Sequence, residues 1–146
     1  MTVLSRPTAI LRALPQLGVC LLVLAALAAC SRGEDHHIAV WDTDGRRLVT
    51  AFASQTREGY SCEDLQGNEL PLTAPAVPTM PMQVFCRNPE LNVDVHGTFE
   101  AHSAQVAIYS RSTLASNPGY DLAQRLAGSF RAMAGGDHVS VRFGPD

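Results

Sequence analysis

From residue 37 onward, short apolar blocks alternate with polar positions and are separated by turn residues, the pattern of a chain built mainly from strands. His37-Ile38-Ala39-Val40-Trp41 is rich in strand formers, Asp44-Gly45 is a hairpin signal, and Arg46 through Ser54 reads as the return strand. Tyr60-Ser61-Cys62-Glu63 predicts a short strand, and Met82 through Cys86 predicts another, ending at the Asn88-Pro89 turn. Leu91, Val93, Val95 and Phe99 then alternate with Asn92, Asp94, His96 and Glu100, as a half-buried strand requires. Gln105 to Tyr109 makes the next strand after a turn at His102-Ser103. The period then changes: Leu122, Leu126, Phe130 and Met133 share one helical stripe, with Asn117 or Ser116 as cap, Pro118 in the first turn and Gly135-Gly136 as terminator. His138 through Phe143 predicts a final strand. The expected fold is α+β: a small, mainly antiparallel sheet of about five to six strands with one C-terminal helix packed on it.

The N-terminus follows different rules. Arg6 and Arg12 precede an apolar run from Leu17 to Ala29, which ends in Leu27-Ala28-Ala29-Cys30. This arrangement resembles the signal peptide and lipobox of bacterial lipoproteins. A membrane-spanning helix needs about 20 apolar residues, and this run is shorter and follows Pro15. The resemblance implies cleavage between Ala29 and Cys30 and a covalent lipid on Cys30. A single acyl chain binds only marginally, at about 0.8 kcal/mol per buried methylene, so the two or three chains of such lipoproteins make attachment effectively permanent. Ser31, after the cysteine, favours the outer membrane over retention at the inner one. The chain then divides into a removed signal (1–29), a lipidated tether (30–36) and one α+β domain (37–146).

Removing the signal makes the remainder more acidic. All 14 acidic residues follow Cys30 while two of the 11 basic ones precede it, which leaves a formal charge of −5. Every basic residue is arginine, and none forms a stripe, so neither nucleic acid nor an anionic lipid surface has an electrostatic footprint to meet. Of four cysteines, Cys20 leaves with the signal and Cys30 takes the lipid. Cys62 and Cys86 remain as the pair for a disulfide in an oxidising compartment. Closing that loop removes unfolded-chain entropy corresponding to roughly 3.5 kcal/mol. Between the two cysteines, Pro71, Pro75, Pro78 and Pro81 favour an extended loop suited to partner contact or to covering the sheet.

Motifs for catalysis are missing: no H-E-x-x-H, G-x-S-x-G, phosphate-cradling loop or dinucleotide fingerprint occurs. Asp42-Thr43-Asp44-Gly45 opens like a calcium loop, but Arg46 and Arg47 follow and no glutamate closes it, so a turn is the reading. Asp94 and His96 share one strand face, where period-two alternation places polar residues in any case. His36, His37, His96 and His102, with the thioethers of Met80 and Met82, are candidate ligands for a soft metal such as copper(I), at spacings that specify none. His138 completes the histidines.

The function expected is a lipid-anchored envelope lipoprotein, not an enzyme, that binds or assembles with an envelope protein without a cofactor. Tyr60-Ser61-Cys62-Glu63 resembles the tyrosine-x-cysteine opening of membrane-bound lysozyme inhibitors, which implies a second possibility, protection of the wall from a cleaving enzyme. The chain departs from that family afterwards, with prolines where strands are expected, and no site residue is carried over. A periplasmic metal carrier is the third possibility.

Overall fold

The computed structural model describes residues 34–70, 79–111 and 117–144. Six strands form one antiparallel sheet: β1 (Glu34–Trp41), β2 (Ser61–Glu63), β3 (Met82–Asn88), β4 (Val93–Phe99), β5 (Ser103–Ser110) and β6 (Val139–Arg142). Their spatial order is β2-β3-β4-β5-β1-β6. The first strand in sequence therefore lies inside the sheet. β2 through β5 run as a meander, and β1 and β6 complete the far side. Among the described residues two α-helices accompany them: α1 (Gly45–Gln55), and α2 (Pro118–Ala134), which packs on β1, β5, β6 and α1. The α+β architecture is as expected, with a C-terminal helix packed on the sheet.

The segment expected as a return strand is helix α1, and the expected hairpin does not form. Asp44, read as half of a hairpin turn, is the N-cap: its side chain accepts a hydrogen bond from the Arg46 amide at 3.0 Å, and its carbonyl accepts from Leu48 N at 3.2 Å. The burial pattern gives the reason. Leu48 and Val49 are adjacent and both buried, which one face of a strand cannot achieve, and Phe52 follows at helical spacing. The same residues satisfy a helical period that their β-branched neighbours disguise. Gly45 is required here because a Cβ would stand 1.8 Å from the Glu100 carbonyl oxygen, so the helix start lies directly against the β4–β5 turn.

A second correction concerns where the domain begins. β1 starts at Glu34, so residues 34–36, expected in the tether, belong to the sheet, with Glu34 opposite Ser110 and His36 opposite Ile108. His36 is buried, and its polarity is what made this stretch resemble a linker.

The core lies between the helices and one face of the sheet. Phe52 of α1 meets Phe99 of β4 edge to face at 5.2 Å, and Leu122, Leu126 and Phe130 of α2 are fully buried over Ile38, Val106 and Ile108. Asn117 caps α2 by accepting from the amides of Gly119 and Tyr120, and Gly135, with φ of 88°, ends it. Among the described residues no helix is long and apolar enough to cross a membrane.

Candidate functional site

Both helices cover the same face of the sheet, and alternation along each strand sends the remaining side chains to the other. On that open face, register aligns one row across all six strands: Arg142, His37, Ala107, His96, Phe85 and Glu63. The next row holds Ser140, Ala39, Gln105, Thr98 and Gln83. Ala39 and Ala107 are short where their neighbours are long, and the sheet dips between them. The result is a groove of about 460 Å³ whose walls are His37, His96, Thr98, Gln105, Ser140 and Arg142. Its walls offer hydrogen-bond donors and carry no carboxylate, within a domain that is acidic as a whole.

The imidazoles stand two strand spacings apart, roughly 10 Å, one on each side of Ala107. His96 is held flat against Phe85, with ring centroids 4.2 Å apart and planes inclined by 15°. Its Nε2 is enclosed and has no hydrogen-bond partner. A neighbouring hollow of about 410 Å³ has a different character, with Glu63, Arg87, Asp94 and Tyr109 around Phe85 and His96. There Arg87 Nε donates to Asp94 Oδ1 at 2.7 Å, and the hydrogen bond and charge of Asp94 raise the guanidinium pKa above its ordinary value. Both side chains are well exposed, so this pair adds little to stability. Asp94 is thereby engaged with Arg87, and His96 with Phe85; they do not form an acid/base pair.

Cys62 and Cys86 form the expected disulfide, directly opposite each other on β2 and β3 with α-carbons 4.0 Å apart. It fastens a three-residue edge strand to the sheet. Ala29 and Cys30 lie outside the described residues, as does most of the proline-rich loop (71–78).

The candidate metal ligands are dispersed. His37 and His96 share the open face, while His36 points into the core on the other side, where Gly144 N donates to its Nδ1 at 3.2 Å. His102 is exposed in the β4–β5 turn, and Met80 and Met82 pack against the core. Among the described residues no three His, Cys, Asp or Glu side chains gather as a metal site would need. His138 approaches Asp42 at 3.5 Å, away from the others. Tyr60 has an enclosed hydroxyl without a partner; burial pushes its phenol pKa up, partly offset by the charge of Arg125.

The groove went unread in the sequence because it exists only through register. Two alanines on the polar side of predicted strands are its one local signal. No protein-family model matches the chain, and neither a curated protein nor a solved structure shows significant similarity to it.

Proposed function

We propose that this chain is a lipid-anchored envelope protein whose domain is a non-catalytic binding module, presenting the open face of its sheet to a protein partner. The observation that carries the reading is the one-sided arrangement of the helices. An antiparallel sheet can tolerate water on one face when that face is simply polar. Here the exposed face has instead a shaped depression, an alanine floor between two imidazoles, and a polar lining without carboxylates. With Arg142 in the lining and no carboxylate beside it, the groove favours an anionic or carbonyl group over a cation, in a partner segment laid across the strands.

The lipobox-like sequence supports anchoring at Cys30 and delivery outside the cytoplasm, in the compartment where the Cys62–Cys86 disulfide is stable. Ser31 supports the outer membrane, facing the periplasm, as the destination. Only three residues then separate the lipidated cysteine from β1, so the module works at the membrane surface.

Site-specific photo-crosslinking in intact cells tests the binding face. A crosslinker at Ala107 should give one discrete protein adduct, which a bulky substitution at Ala39 abolishes, and one at Gln124 on the outer side of α2 should not. Equal adducts from both positions, or none from Ala107, would reject the open face. Anchoring has its own test: Cys30→Ala should abolish acyl labelling and leave the precursor uncut.

A further inference from the structure

We infer that the end of the sheet where β1 begins is a membrane-contacting rim, which seats the domain upright on the lipid surface; the inference rests on lipidation of Cys30. Among the described residues six large apolar side chains stand exposed: Trp41, Leu65, Leu91, Tyr109, Tyr120 and Phe143. Four of them gather at one end. Register brings Glu34 opposite Ser110 and Ser110 opposite Val93, so the start of β1, the end of β5 and the β3–β4 turn share that end. Leu91 is in the turn, Tyr109 is next to last in β5, and Phe143 follows β6. Tyr120, in the first turn of α2, joins them through ring contact with Phe143 at 5.0 Å. Both rings also lie edge-on to buried His36, so this part of the rim is held in place before any contact is made.

Chain length selects the same end. Four α-carbon steps from Cys30 to Glu34 span at most about 14 Å even when fully extended. Trp41 closes β1 at the other end, about 23 Å further along the strand. Leu65 lies beyond β2, at the sheet's edge.

Charge identifies the kind of contact. Asp35, Glu90 and Asp121 stand near this end with Arg111 and Arg142, while Arg87 and Asp94 neutralise each other. Among the described residues this end carries no net positive charge to draw anionic headgroups. Tyrosine and phenylalanine rings suit the boundary between headgroups and acyl chains, where an apolar body and a polar tip are both satisfied. The rim therefore settles through its rings and does not depend on anionic lipid.

The chain's single tryptophan makes the orientation measurable. Mature acylated protein is reconstituted in vesicles of brominated phosphatidylcholine, whose bromines quench nearby indoles, and compared with unbrominated vesicles. Trp41 in the native sequence should keep its emission. Phe143→Trp and, independently, Leu91→Trp, each combined with Trp41→Phe, should lose emission and shift to the blue. Vesicle flotation separates the two premises. Co-flotation with no quenching at either rim position, or with Trp41 quenched as strongly, overturns the rim while leaving the anchor intact. Absence of co-flotation in the native protein overturns both.

Discussion

The two faces of the sheet are drawn from the same strands, residue by residue, yet they obey opposite rules. The helix-covered face is filled by Ile38, Val84, Val93, Val95, Phe99, Val106 and Ile108, with a few polar side chains among them, such as His36 against the Gly144 amide. The open face places imidazoles, amides and hydroxyls around two alanines. What differs is the consequence of a change in size. On the covered face a lost methylene leaves a cavity that the packing cannot close. On the open face it leaves water. The first face sets stability, and the second is free to be shaped for binding.

Substitutions sharpen that contrast, beginning with the largest. Phe130→Ala or Phe52→Ala, each at a fully buried ring, should lower unfolding free energy by about 3–5 kcal/mol in denaturant titration. A loss below about 1 kcal/mol would mean that the helices do not seal this face. Removing the disulfide with Cys62→Ala and Cys86→Ala should cost roughly 3.5 kcal/mol, given the 24-residue separation, read as a drop in the denaturation midpoint. Gly45→Ala should cost about 1–3 kcal/mol, because the added methyl forces α1 away from the Glu100 carbonyl. Asp44→Ala removes a helix cap and should cost about 1 kcal/mol. Were that segment a hairpin, neither Gly45→Ala nor Asp44→Ala would lower helical circular dichroism. At the small end, Thr98→Ala and Gln105→Ala on the open face should stay within about 0.5 kcal/mol of the native protein while weakening partner crosslinking.

Alkaline pH gives a further contrast through Tyr60. Burial raises its folded pKa above 10.0, so the folded state keeps a proton that the unfolded state releases. Stability from this group is fully present below pH 10 and is lost as pH rises through the folded pKa. Thermal melts across that window should decline less steeply in Tyr60→Phe than in the native protein.

Most of the covered face was legible in the sequence, and its legibility had physical causes. β3, β4 and β5 show clean period-two alternation because only one of their faces is buried. Asn117, Pro118 and Gly135 mark the ends of α2 by cap chemistry that operates locally. α1 is ambiguous in the sequence for a reason equally physical: an Asp-Gly pair serves a hairpin turn or a helix start, and only the adjacent burial of Leu48 and Val49 separates the two. The start of β1 is hidden in the sequence because His36 is polar and buried, contrary to what hydropathy rewards. The open-face groove depends on three strand pairings at once, so beyond its two alanines no local pattern announces it.

The interior position of β1 has a mechanical meaning. Tension entering through the chain that precedes Glu34 would act along a strand bonded to β5 over eight residue pairs and to β6 over four. Such loading is shear: the hydrogen bonds on both sides must yield together, whereas an edge strand pulled from its end opens one bond at a time. Placing the first strand between two others makes the domain resist being drawn open from the end where that strand begins.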